Sequence, residues 1–163
     1  MTDRAGEILD AAAGLFAEHG VDAVGMGEVA RAAGCSRATL YRYFADRHEL
    51  HLAFVHREAR RIGALVAPET DLADAVLAAV RHVRAKPELV AWFGAADAGT
   101  TAELAQSSEV IEALGLSAVD DPEAARWLVR VIVSLLIVPG RDDAEERSLV
   151  ERFVVPAMAG RRR

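Results

Sequence analysis

Cysteine and lysine are nearly missing from this chain: Cys35 and Lys86 stand alone, set against eighteen arginines. One thiol excludes an internal disulfide and fits a reducing compartment. Long apolar runs are scarce too. The greasiest stretch, Trp127 to Val138, is interrupted by Arg130 and Ser134, well short of the roughly 20 apolar residues that a membrane helix needs. No apolar run sits behind a basic start, which predicts no signal peptide, no membrane association and a cytoplasmic protein. Period-two alternation, internal repeats and low-complexity tracts are lacking, so strands are not expected. Enzyme signatures are lacking as well: there is no GxSxG elbow, no GxxxxGK phosphate loop and no HExxH zinc pair. His19, His48, His51, His56 and His82 are dispersed without ligand spacing, so neither a metal nor another cofactor is expected.

What is present is a chain of 163 residues with 52% hydrophobic and 27% charged residues, enough for a buried core in a soluble protein. Net charge is −6, but it is unevenly spread. Arg31, Arg37, Arg42 and Arg47 against the single Asp46 give residues 31–47 a local +3, leaving −9 on the remainder. A small basic face on an acidic body can meet phosphate while the body resists loose adhesion. The preference for arginine over lysine, with abundant alanine, reflects a GC-rich genome more than any demand of DNA.

Helical periodicity runs throughout. Ile8, Leu9, Ala12, Leu15 and Phe16 form one stripe on a first helix from Asp3 to His19, stopped by Gly20. After a Val21–Gly25 connector, Met26, Val29, Ala30 and Ala33 mark a second helix. The stretch GCSRATLYRYF then reads as a tight turn and a short third helix. Gly34 suits a left-handed C-cap, Ser36 an N-cap, and Leu40 with Phe44 the anchoring side. Asp46 and Glu49 form a capping box for a fourth helix that buries Leu50, Phe54, Ile62 and Leu65 and ends at Pro68. A fifth helix carries Leu72, Val76, Val80 and Val83, and a short sixth runs from Pro87 to Phe93, closed by Gly94. Thr100 with Glu103 opens a seventh, which carries Leu104, Ile111 and Leu114 and ends at Gly115. Asp121–Pro122 opens an eighth, and Asp142 with Glu145 a ninth, whose last turn Pro156 kinks or frays. The fold class is all-α with about nine helices.

A helix, a turn containing glycine and a short helix rich in arginine and hydroxyls have the layout of a helix-turn-helix reader. Two segments, ILDAAAGLFAEHG and MGEVARAAGCSRATLYRYFADRHEL, closely resemble the DNA-binding domain of the TetR family of bacterial transcriptional regulators. The resemblance covers about a third of the chain, with apolar, glycine and aromatic positions all in register. It implies a three-helix DNA-binding domain at residues 1–46, joined by the long fourth helix to a helical ligand-binding and dimerisation domain at 47–160. Residues 161–163 form a basic tail, which adds non-specific DNA affinity or lies idle. The chain is shorter than is usual for the family, which implies a trimmed effector domain.

Arg37 and Arg42 can fork onto guanine O6 and N7, and Thr39 can touch a thymine methyl or a phosphate. The resemblance implies that Tyr41 and Tyr43 contact phosphate and that Arg47, in place of the family's usual lysine, holds a phosphate beside a helix N-terminus. Ser36 and Ala38 complete the expected surface. Three departures stand out: Gly25 where Ser or Thr is usual, Ala38 where Gly is common, and Cys35 where Val is common. Cys35 reads either as a small hydrophobe or as a redox thiol near Arg31 and Arg37.

One short helix specifies few bases, so two copies on a palindrome, about 34 Å apart, are expected. DPEAARWLVRVIVSLL and EERSLVERFVVPAM look like the family's dimerising pair. The interface candidates are Trp127, Leu128, Val131, Leu135, Leu136, Phe153, Val154 and Met158, which read equally as protomer core. Phe54, His82, Trp92, Phe93 and Gln106 lie on helices that line the effector pocket in the family, with plain core packing as the alternative. The expectation is therefore a dimeric, ligand-responsive repressor. Its rival is a helical dimerisation adaptor with a degenerate DNA-binding head, and an enzyme is less favoured still.

Overall fold

The computed structural model describes residues 3–95, 99, 102–103, 106–114 and 121–159, and the structure is all-α among them. The helices are α1 Arg4–His19, α2 Met26–Ala32, α3 Arg37–Tyr43, α4 Arg47–Val66, α5 Leu72–Arg84, α6 Pro87–Ala95, α7 Ser108–Ala113, α8 Pro122–Ile137, α9 Asp143–Leu149 and α10 Val155–Ala159. Two compact units emerge. One comprises residues 1–58 and 86–96, the other 59–85 and 97–163. The expected boundary at residues 46/47 falls inside the first unit, because the first part of α4 and all of α6 pack with the head.

The first unit is centred on Phe16, which meets Phe54 edge-on at 5.4 Å and His51 at 5.2 Å between ring centres. Ile8, Leu9 and Ala12 of α1, Val29 and Ala30 of α2, Leu40 of α3 and Leu50 and Val55 of α4 are buried. Leu89 and Trp92 of α6 are buried as well, and α6 packs on α1. A charge network around the buried Glu58 crosses this unit. The Glu58 carboxylate accepts from Lys86 Nζ at 2.9 Å and from Arg57 Nε at 3.2 Å, and Arg57 Nη1 donates to Asp10 Oδ1 at 2.8 Å. Its cations satisfy a carboxylate that would be costly to bury alone.

In the second unit, Ala73, Val76, Leu77 and Val80 of α5 form a core with Leu128 and Leu135 of α8 and with Val150 and Val154. Arg84 forks onto the Glu146 carboxylate at 2.9 and 2.7 Å and donates to the Leu135 carbonyl at 2.8 Å. The Gly140 N–H donates to the same carboxylate at 2.8 Å. These bonds fix the α8–α9 turn.

Local signals account for most helix ends. Asp46, Asp121 and Asp142 each accept a backbone N–H from the following turn, satisfying donors that a helix start leaves free. Four local expectations need correction or fall elsewhere. Gly94 does not close α6, which continues to Ala95. Leu65 is 53% exposed, because Ala59, Ile62, Gly63 and Val66 form the inward stripe and Leu65 lies off it. Ser107 caps α7, its hydroxyl accepting from Val110 N; Thr100, Leu104 and Gly115 lie outside the described residues, as does the tail 161–163. Pro156 does not stop the last helix, which runs on to Ala159. The backbone widens instead into a π-helical Val150–Val154, where Val155 N–H reaches the Val150 carbonyl. A proline has no N–H for the carbonyl four residues back, and a π turn accommodates that loss.

Candidate nucleic-acid interface

The turn between α2 and α3 follows from its residues. Gly34 takes φ +61°, a left-handed conformation that glycine adopts without a Cβ penalty. Gly34 N–H then bonds to the Arg31 carbonyl at 3.1 Å and Cys35 N–H to the Ala30 carbonyl at 2.9 Å, a Schellman closure of α2. Ser36 starts α3 by accepting from Thr39 N–H at 3.0 Å, and its hydroxyl also pairs with the Thr39 hydroxyl at 2.9 Å. Seven-residue helices are not stable alone. Leu40, fully buried, and Phe44, 5% exposed, tie α3 into the core of the head.

The opposite face of α3 stands in solvent. Arg37, Ala38, Tyr41, Arg42 and Tyr43 are all exposed, and Thr39 is half-buried. The Arg42 guanidinium lies 5.4 Å from the centre of the Tyr43 ring, a cation–π distance that restrains both side chains. Arg47 is turned inward in part. Its Nη2 donates to the Val21 carbonyl at 2.6 Å and lies 3.8 Å from the Asp22 carboxylate. This clasps the start of α4 to the α1–α2 connector. Gly25 caps α2 with only half of a capping box: its N–H donates to Glu28 Oε2 at 2.9 Å, and glycine has no side chain to return the bond.

Two residues here carried no sequence signal. Arg4 Nη2 donates to the Gly34 carbonyl at 2.9 Å, while Nη1 pairs with Glu7 at 2.5 Å. The N-terminal turn of α1 is thereby bonded to the loop that aims α3, across thirty residues of sequence. His51, one turn beyond Arg47, packs on Phe16 with its Nε2 buried and without a hydrogen bond. Burial foremost, then the positive Arg47 and His48, push its pKa down to about 4, against a small opposing effect of Asp22. The ring is neutral at physiological pH. Cys35 is half-buried.

The other candidates fall into two groups. Phe54 and Trp92 are buried in the core of the first unit, with Phe93 edge-on to Trp92 at 5.2 Å. His82 is half-buried on α5, and Gln106 is exposed, its amide donating to the Ala102 carbonyl at 3.2 Å. A cleft of about 230 Å³ in the second unit is lined by Leu77, Arg81, Asp143, Glu146 and Arg147, and includes none of these five. Among the interface candidates, Leu128, Leu135 and Val154 are buried in the core of their own unit, and Val131, Leu136 and Met158 pack at its margin. Trp127 is 36% and Phe153 58% exposed. Among the described residues no helix is long and apolar enough to cross a membrane, and no group of three acidic, histidine or cysteine side chains has metal-holding geometry.

Residues 8–54 match the family model for bacterial regulatory proteins of the tetR family. A curated HTH-type transcriptional regulator of Mycobacterium tuberculosis is 45% identical over 169 residues, covering 93% of this chain and 84% of its own. The repressor AcnR of Corynebacterium diphtheriae is 30% identical over 87 residues, 53% of this chain and 43% of its own. The activator FasR of Mycolicibacterium smegmatis is 42% identical over 55 residues, 34% of this chain and 25% of its own. In fold, the chain is similar to the TetR family repressor AlkX of Dietzia, with a TM-score of 0.72 at 21% identity over 98% of this chain and 97% of that one. A TetR regulator of Rhodococcus gives 0.69 at 21% identity, covering 99% of both chains. Likeness to a helix-turn-helix regulator over 93% of this chain, the family match from α1 into α4 and the shared all-α fold lead to one conclusion: the chain belongs to the TetR family and is a transcriptional regulator, not an enzyme.

Proposed function

We propose that this regulator acts as a homodimer that represses transcription by reading a palindromic operator with its two α3 helices. The observation that carries the reading is the division of α3, with Leu40 and Phe44 buried and Arg37, Tyr41, Arg42 and Tyr43 exposed. Arg37 and Arg42 supply forks for guanine edges, while Tyr41, Tyr43 and the Thr39 hydroxyl reach phosphate at the groove rim. Ser36 holds the start of α3, and Ala38 leaves its neighbours room to approach the groove. Arg47 meets a phosphate through the guanidinium edge that Val21 leaves free, and Gly25 brings the backbone at the start of α2 close to the DNA. Repression, in place of activation, is supported by the names of AcnR and AlkX, while FasR supports the opposite sign.

Dimerisation brings the two readers into register with successive major grooves. Trp127 and Phe153, exposed on α8 and on the π-helical segment, are the central contacts, with Val131, Leu136 and Met158 beside them. Release by a small-molecule effector completes the proposal. His82 and Gln106 of the second unit retain accessible surface for it, whereas Phe54 and Trp92 serve the core of the first. An effector favouring the state with misplaced readers needs only about 2.7 kcal/mol of differential affinity for a hundredfold loss of operator binding. The test is selection from a random duplex library. Enrichment of a palindrome supports the reading, and recovery of scrambled sequence alone, with and without added cell extract, contradicts it.

A further inference from the structure

We infer that Gly27, on α2, is the residue that aims the Arg37 side chain, and so helps to set the base that Arg37 selects. The inference rests on the proposed role of α3 in reading DNA. Gly27 is the second residue of α2 and Arg37 the first of α3. The guanidinium of Arg37 packs against Gly27 where a side chain would stand. A Cβ placed on Gly27 would collide with Nη2 and come within 2.9 Å of both Cζ and Nε. That leaves no room for any side chain at position 27 while Arg37 keeps this conformation.

The three arginines around the reader are held differently. Arg47 spends a donor on the Val21 carbonyl, and Arg42 lies beside the Tyr43 ring. Arg37 has neither constraint, and among the described residues its guanidinium makes no hydrogen bond or ion pair. Packing on Gly27 therefore orients the group without committing any of its N–H donors to a hydrogen bond. Alanine is the better helix former, so helix propensity does not account for the glycine at this position. Because the obstructing atoms are the far end of a flexible side chain, alanine at 27 swings Arg37 away without disturbing the backbone.

The test compares Gly27→Ala, Arg37→Ala, the double variant and the unaltered protein by library selection, competition binding and thermal unfolding. Gly27→Ala should keep or raise the Tm while lowering preference about tenfold at the position where Arg37→Ala loses it. Affinity for scrambled DNA should stay within about twofold, and the Gly27 effect should vanish in the Arg37→Ala background. An unchanged preference in Gly27→Ala, or an equal loss with Arg37 already removed, overturns the inference. If the unaltered protein selects a site that Arg37→Ala reads identically, the inference fails while DNA reading stands. If the unaltered protein selects nothing, both fail.

Discussion

Arg42 and Arg47 sit five residues apart in different surroundings. Arg42 is exposed beside Tyr43 and free to enter a groove, so Arg42→Ala should relax preference at one base by about 1–3 kcal/mol. Arg47 bonds to the Val21 carbonyl. Arg47→Ala should therefore weaken all sequences about equally and also cost about 1 kcal/mol of stability through the lost bond. Competition binding against cognate and scrambled duplexes, with urea unfolding alongside, checks both; equal losses on both duplexes for Arg42→Ala would contradict its assignment. His51 gives a pH prediction of defined sign. Its folded pKa of about 4 lies below its ordinary 6.5, so the folded state binds the proton less well than the unfolded one. The stability this represents is present above pH 6.5 and is lost as pH falls toward 4. The loss should be about 1–2 kcal/mol once solvent screening of a half-buried ring is allowed for. His51→Leu should flatten that part of the acid unfolding curve, and a curve parallel to that of the unaltered protein would refute the assignment.

At the scale of elements, what was legible in the sequence was what neighbours along the chain decide. Asp46, Asp121 and Asp142 marked helix starts, Gly34 and Ser36 the reader's turn, and Leu40 with Phe44 its anchor. The illegible features join residues far apart with no periodicity to link them: Arg4 to Gly34, Arg57 to Asp10, and Lys86 to Glu58. Leu65 misleads because it shares the side of α4 that buries Phe54, while over the last turns the buried side shifts to Ala59, Ile62 and Gly63. Gly63, by contrast, drew no attention in sequence and is closely confined in the fold. A Cβ there would collide with the Ala113 carbonyl oxygen and lie 3.0 Å from Leu114 Cα, so α4 and the end of α7 approach backbone to backbone. Backbone cannot swing aside as the Arg37 guanidinium can. Gly63→Ala should destabilise the protein by about 1–3 kcal/mol, despite alanine's better helix propensity. An unchanged denaturation midpoint would show that α7 is free to move away.

For the whole molecule, residues 31–47 carry a local +3 against −9 on the remainder, a distribution that favours phosphate at the α3 face over loose adhesion elsewhere. A single α3 offers few base contacts, so the proposed reading of a palindrome requires two of them. Exposed Trp127 and Phe153 are the side chains a second copy would cover. Phe153→Glu should leave the helical content unchanged, convert a dimer to a monomer in sedimentation, and weaken operator binding at least tenfold. A variant that remains dimeric would move the interface elsewhere.

The central claim is that two copies read one palindrome through the exposed face of α3. Its most direct test is the mass and salt dependence of the complex on the selected duplex and on its isolated half-site. Two chains per palindrome are expected, with much weaker binding to the half-site and an affinity that falls steeply with salt as phosphate counterions are released. One chain per duplex, with equal affinity for palindrome and half-site, would contradict it.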